Sequence, residues 1–217
     1  MKSWIRNMFG MMGALAVAGC VSAPETRFYT LSVPSGSSVT KDAIHSSVPI
    51  FIEIMPVNVP ERLARPQLVV RSQAGQETEL FILEQDRWSS HFNNELRDAF
   101  AAGIASQIGA INETRGAART PDQPVYRVAI ELSQFDAIVG DKVTARFNWA
   151  ITRSTDGRGA VCYTVISEVV SGGIEGVVKG VQRAVSSAAA EVAKNLVELD
   201  SRRAATCVPR IKMDNAY

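Results

Sequence analysis

Three cysteines, two histidines and a scatter of carboxylates are the residues through which this 217-residue chain could do chemistry. Hydrolysis or group transfer needs a nucleophile, a base and an orienting group within reach of one another, and a zinc site needs His and Cys at short spacings. The histidines do not supply such a set. His45 sits in a polar stretch and reads as solvated, while His91, three residues after Trp88, reads as a boundary residue beside an apolar stripe. The sequence holds no H-E-x-x-H, no closely spaced cysteine pair and no G-x-S-x-G. Gly172, Gly173, Gly176 and Gly180 loosely suggest a phosphate loop but fit neither G-x-G-x-x-G nor the Walker pattern. They read as a hinge and a weak helix start. Among the carboxylates, Asp141 is accounted for by a turn and Asp86 by a helix cap. Glu53, Glu61, Glu95, Asp98 and Asp136 form no pair that spacing identifies as a glycosidase site. The expectation is a chain with no catalytic residue, no metal and no cofactor.

Cysteine gives the one chemical signal. Lys2 and Arg6 open the chain, Met8 to Val17 is apolar apart from Gly10 and Gly13, and Ala18-Gly19 precede Cys20. So short a run, with a basic start and a small-residue site, suits a cleaved export signal better than a transmembrane helix. Val17-Ala18-Gly19-Cys20 resembles the bacterial lipobox, whose cysteine thiol is alkylated with diacylglycerol before cleavage. One acyl chain holds a protein on a bilayer only marginally, at about 0.8 kcal/mol per buried CH2, whereas two or three hold it essentially permanently. Cys20 is therefore the expected lipidation site; a chance cysteine is the alternative. Val21, where an aspartate would signal retention, resembles the default sorting signal to the outer membrane, whose periplasmic face is the expected location. Cys162 and Cys207 are candidates for a disulfide in an oxidising envelope. Closing that loop of about 45 residues would stabilise the fold by roughly 4 kcal/mol in the chain-entropy model. The alternative is a buried thiol at Cys162 and a frayed one at Cys207.

The elements that must position these residues follow from periodicity. Residues 1–19 read as the signal peptide and 20–47 as a lipidated tether rich in Ser, Thr, Pro and Gly, carrying one short strand at Phe28–Val33. A single domain over 48–203 and a polar tail over 204–217 complete the chain. Ile50–Ile54 reads as a strand that ends where Pro56 and Pro60 stop regular pairing. Leu68–Arg71 and Glu79–Leu83 read as strands around a polar turn at Ser72–Glu77. Trp88, Phe92, Leu96, Phe100, Ile104 and Ile108 recur every fourth residue, which predicts an amphipathic helix capped by Asp86. Three alternating runs then predict an antiparallel meander. Its first strand carries Tyr126 to Leu132 with a bulge after Gln134, its second Val143 to Ile151, its third Val161, Tyr163 and Val165. The turns are expected at Gly140-Asp141 and Asp156-Gly157. Val178, Val181, Val185, Ala189, Val192, Leu196 and Leu199 mark a last helix, whose small residues Ser186 to Ala190 permit close packing. The predicted class is α+β, a mostly antiparallel sheet with two helices packed on one face. With 23 basic and 22 acidic residues interspersed, no nucleic-acid surface is expected.

One stretch is not explained by packing alone, Pro56-Val57-Asn58-Val59-Pro60-Glu61-Arg62-Leu63-Ala64-Arg65-Pro66, running on to Arg71. Its prolines favour a rigid, extended path, and Arg62 and Arg65 are expected to project outward. Pro60, Arg62, Arg65 and Pro66 are the candidate interface; a crossover loop with solvated arginines is the alternative. Together with Arg87-Trp88, Phe28-Tyr29-Thr30-Leu31 after Cys20, Phe135 before the Gly140 turn, Trp149 and the small-residue last helix, this order of features resembles the ABC-type transport auxiliary lipoprotein family. Ser89-Ser90-His91 depart from its usual small-acidic-proline run, and Cys162 and Cys207 are not part of its pattern. The resemblance implies a non-catalytic subunit that binds a periplasmic MCE-domain protein. It implies service to an inner-membrane transporter indirectly, in moving lipids or other hydrophobic molecules between membranes, and a homo-oligomeric ring. An envelope assembly or activator lipoprotein shares the tether and the small domain and is the other reading; an envelope hydrolase is a third.

Overall fold

The computed structural model describes residues 24–32, 49–71, 78–113 and 123–207, and the backbone of 211–213. The signal peptide, Cys20, His45 and the Ser72–Glu77 turn lie outside the described residues. Nine strands and two α-helices follow one another among the rest. They are β1 (Arg27–Tyr29), β2 (Phe51–Ile54), β3 (Gln67–Val70), β4 (Phe81–Trp88), α1 (Phe92–Ile108), β5 (Ile111–Asn112), β6 (Val125–Ala137), β7 (Lys142–Arg153), β8 (Gly159–Val169), α2 (Ile174–Asp200) and β9 (Ile211–Met213). The fold is α+β. Two mixed sheets replace the single mostly antiparallel one expected, a small sheet ordered β1-β4-β3 and a large one ordered β5-β2-β6-β7-β8-β9. The β6–β7–β8 meander and the β3–β4 hairpin are antiparallel, whereas β1, β2, β5 and β9 all join their neighbours in parallel. Local alternation specifies a hairpin; a parallel partner is chosen by contacts far away in sequence, so those four pairings carry no short-range signal.

The core lies between the large sheet and the two helices. Every stripe residue expected on α1 is buried, Phe92, Leu96, Phe100, Ile104 and Ile108. Gly109 ends that helix in the left-handed region at φ 66°, which glycine adopts without a Cβ clash. On α2 all seven expected positions from Val178 to Leu199 are buried. The register slips between Leu132 and Gln134, so the bulge falls just before Gln134 rather than after it, and it swings Ala137 onto the core face. The β6–β7 turn is centred on Val139-Gly140 rather than Gly140-Asp141: the Asp141 amide donates to the Ile138 carbonyl, with Gly140 at φ 74°. Polar handles tie the layers together. Trp149 Nε1 donates to Asn195 Oδ1 at 3.0 Å, and the Tyr126 hydroxyl donates to Asp200 at 3.0 Å. Burial, then the Asp200 charge, pushes the Tyr126 pKa up to about 12.

Three further expectations give way to long-range packing. On β8 the core face is Cys162, Thr164, Ile166 and Glu168, while Val161 and Tyr163 point to solvent. The face covered by α2 decides this, and Arg183 of α2 reaches buried Glu168 at 2.8 Å. Trp88 closes β4 instead of opening α1, and Asp86 lies within that strand, so the N-cap is His91, which makes no side-chain capping bond. The start of the tail is tied to the domain: Glu198 accepts the Thr206 amide at 2.7 Å, and Cys207 forms the candidate disulfide with Cys162 at a Cα–Cα distance of 5.3 Å.

The helices meet where small residues let their backbones approach, as a Cβ built on Gly103 would stand 2.8 Å from the Ala189 Cβ. Gly103→Val is therefore expected to cost about 1–3 kcal/mol, read as a lower urea midpoint at unchanged m-value. Ala189→Gly in that background should recover part of the loss. Simple additivity of the two changes would show that the helices do not touch there.

Candidate functional site

No group of three or more His, Cys, Asp or Glu placed to hold a metal ion occurs among the described residues. Two arrangements stand out, the junction where the tether enters the domain and the proline-bounded segment beside it.

At the junction, β1 lies parallel to β4 in the register Arg27–Asp86, Phe28–Arg87 and Tyr29–Trp88. Asp86 is buried and serves both neighbours across that register. The Arg27 guanidinium meets it at 2.8 Å and the Tyr29 hydroxyl donates to it at 3.0 Å. The Ser89 amide donates to the Tyr29 carbonyl at 2.7 Å, which carries the pairing past the end of β4. The chain then turns at Thr30-Leu31 onto Glu95, in the first turn of α1. One Glu95 oxygen accepts the Thr30 hydroxyl at 2.9 Å and the Leu31 amide at 3.0 Å; the other accepts the hydroxyls of Ser89 at 2.6 Å and Ser90 at 2.9 Å. Burial at 5% exposure works against the carboxylate's charge, yet the donors from Ser89, Leu31, Thr30 and Ser90 outweigh it. Its pKa is held below the ordinary glutamate range. Gln182 of α2 adds a bond to the Thr30 carbonyl at 2.9 Å. Sequence reasoning missed Glu95 as a node. The signal available was the pair of hydroxyls at Ser89 and Ser90 shortly before Glu95, which shows half of the donors.

The second arrangement contains the candidate interface residues. From Met55 to Asn58 the chain keeps following β6 despite the prolines, since the Met55 and Asn58 amides donate to the Val128 and Ile130 carbonyls, both at 3.0 Å. Proline removes a donor only at its own position, so the residues between can still pair. Beyond Pro60 the path is a 3-10 helix over Glu61–Leu63 rather than extended, with Pro60 as its N-cap. Leu63 is buried as a plug in the core, where the space left beside it is only about 10 Å3. The segment's carbonyls are engaged by the core elements: Trp88 donates to Pro66 at 2.6 Å and Phe92 donates to Arg65 at 3.4 Å. Trp88 and Phe92 stack beneath it, ring centroids 5.1 Å apart. Pro60 and Pro66 are half-buried and Arg62 is exposed. Arg65 does not project outward as expected; it is half-buried, and its Nε is buried with no hydrogen-bond partner among the described residues. Neither arginine has an ion pair there.

The depressed Glu95 pKa fixes the sign of a pH effect. The stability it contributes is complete above the unfolded glutamate pKa and is lost as pH falls through the lower folded value. Wild-type stability should therefore drop across that acid window, with a smaller drop in Glu95→Gln. Glu95→Ala, which strands the Leu31 amide, is expected to cost about 2–3 kcal/mol at neutral pH, measured by urea unfolding. Equal acid sensitivity in wild type and Glu95→Gln would show that the carboxylate carries no such load.

Comparison with known proteins adds the last observations. The family model described as "ABC-type transport auxiliary lipoprotein component" matches residues 29–193. Among solved structures, an uncharacterized protein is 17% identical over 78% of this chain and 97% of its own, with a TM-score of 0.59. A Xanthomonas campestris protein described under the family DUF330 is 18% identical over 81% of this chain and 99% of its own, also with a TM-score of 0.59. At that identity the likeness is one of fold. No curated protein matches the chain.

Proposed function

The chain belongs to the ABC-type transport auxiliary lipoprotein family, and from that premise we propose that it is a non-catalytic docking subunit of an envelope lipid-transport system. In this reading Cys20 carries the lipid, and the domain sits on the periplasmic face of the outer membrane as a ring of identical subunits. There it receives a periplasmic MCE-domain protein that connects it indirectly to an inner-membrane transporter. The observation that carries the reading is the segment Pro60–Pro66. Its backbone and Leu63 are committed to the core, so its shape is set before any partner arrives, while Arg62 is exposed without an ion pair among the described residues. A rigid surface loses little conformational entropy on docking, and arginine is enriched among the residues that dominate interface energies.

The test is capture of MCE-domain proteins of the same cell by the lipidated native protein, compared with Arg62→Glu. The charge reversal is expected to weaken capture by about tenfold or more with thermal unfolding unchanged, since Arg62 is exposed. Failure of the native protein to capture any MCE-domain protein would contradict the partner. Capture unaffected by Arg62→Glu would move the interface elsewhere.

A further inference from the structure

A strand at the border of a sheet leaves every second residue's amide and carbonyl unpaired, which is a template for another extended chain. β8 is the last strand of the meander, and both ends of its ladder with β7 show which way its backbone faces. The Val170 amide donates to the Asp141 carbonyl and the Arg153 amide to the Arg158 carbonyl, with no register slip between them. Cys162, Thr164, Ile166 and Glu168 therefore exchange bonds with β7. Val161, Tyr163, Val165, Ser167 and Val169 turn their amides and carbonyls outward.

That outward edge is covered at its start, middle and end. The Val161 carbonyl stands 3.4 Å from Cys207 Sγ. β9 lies on it in parallel, in the register Val165–Ile211, Ile166–Lys212 and Ser167–Met213. The Val169 carbonyl accepts Arg183 of α2 at 2.8 Å. Two of these covers belong to the C-terminal tail, and the tail is fastened just before β9. Glu198 holds the Thr206 amide, and the next residue, Cys207, is bound to Cys162. Cys162 precedes Val165 by three residues, about 10 Å of strand. Cys207 precedes Ile211 by four, which reach at most about 14 Å. The disulfide thus sets the tail down at the distance from which β9 meets its register.

We infer that the Cys162–Cys207 disulfide is a redox latch on this edge cover: closed, it keeps β9 on β8, and reduced, it lets the tail leave and opens the edge to pairing with another chain. A three-residue strand gains too few backbone bonds to offset the entropy of ordering it unaided. A covalent anchor four residues away makes the pairing intramolecular and raises its effective concentration. The Thr206 bond to Glu198 lies where water competes for it, so the disulfide is the anchor that holds. Cys207 is exposed, which opens it to a dithiol reductant. One thiolate of the dithiol attacks the Cys207 sulfur, the S–S bond breaks, and its electron pair goes to the Cys162 sulfur, which takes up a proton. The dithiol's second thiolate then displaces the Cys207 sulfur, which takes up the other proton, and the dithiol closes to its own disulfide. Two electrons and two protons pass from the dithiol to the protein. The latch is independent of the docking role proposed above.

The test is hydrogen exchange of the mature lipidated protein in detergent, followed amide by amide by NMR. Three samples are compared: wild type, wild type treated with dithiothreitol, and Cys207→Ser. The Val165 and Ser167 amides report the edge, and the Ile166 amide, which faces β7, reports the sheet itself. Expected is slow exchange at all three positions in untreated wild type. After reduction, and in Cys207→Ser, Val165 and Ser167 should exchange at least about tenfold faster while Ile166 is unchanged, as local release of one strand requires. Fast exchange at Val165 and Ser167 in untreated wild type would show that β9 does not cover the edge. Equal protection in all three samples would show that β9 stays without the latch. Loss of protection at Ile166 as well would assign the disulfide to the stability of the whole sheet. Each of these overturns the proposal, as does a mass measurement showing that the disulfide is absent before treatment or unopened by dithiothreitol.

Discussion

Glu95 carries a charge almost withdrawn from water, and a buried carboxylate persists in that form only if donors replace the solvent it has lost. Those donors come from Thr30 and Leu31 at the tether's entry and from Ser89 and Ser90 at the junction of β4 with α1. Meeting this one requirement fixes how the first described strand lies against the rest. It sets the parallel register of β1 on β4, brings Asp86 between Arg27 and Tyr29, and leaves Trp88 beneath Pro66. The position of the proline-bounded segment follows from that last contact. Tether, hairpin and candidate interface are thus held in one fixed arrangement by a node that is buried and polar, so partial loss of its donors is worse than an apolar substitute would be.

What the sequence made legible was whatever a short window contains. The stripes of α1 and α2, the meander with its bulge after Leu132, and the turns at Gly140 and Gly157 all follow from local periodicity and backbone preference. The misread features share the opposite property. Asp86 two residues before Trp88 looks like a cap, because the bond that makes Trp88 a strand residue comes from Pro66, far back in the chain. Val161 and Tyr163 look like a core face, because β-propensity does not say that α2 covers Cys162, Thr164 and Ile166 instead. Arg65 looks like a surface arginine until its carbonyl is drawn onto the start of α1. Half of Glu95's donors lie on a segment that reads as tether, so its role as a node was invisible to any reading of α1 alone.

β1 lies beside the second half of β4, and the Pro60–Pro66 segment meets the end of that strand, where Trp88 donates to Pro66. In the proposed role, Cys20 would hold the domain at a membrane and the Pro60–Pro66 segment would meet the partner, with the core supplying rigidity. Such a subunit needs no catalytic group of its own, because its contribution is to be in one place and facing one way. In that account the lipid on Cys20 is part of the function and not only of the address.

The most direct measurement exports the Cys20→Ser chain behind an ordinary cleavable secretory signal in cells lacking the wild-type protein, and asks whether their envelope function is restored. The account predicts a protein that unfolds at the same temperature as the wild-type domain, leaves the membrane fraction and restores nothing. Full restoration by the soluble protein would contradict it.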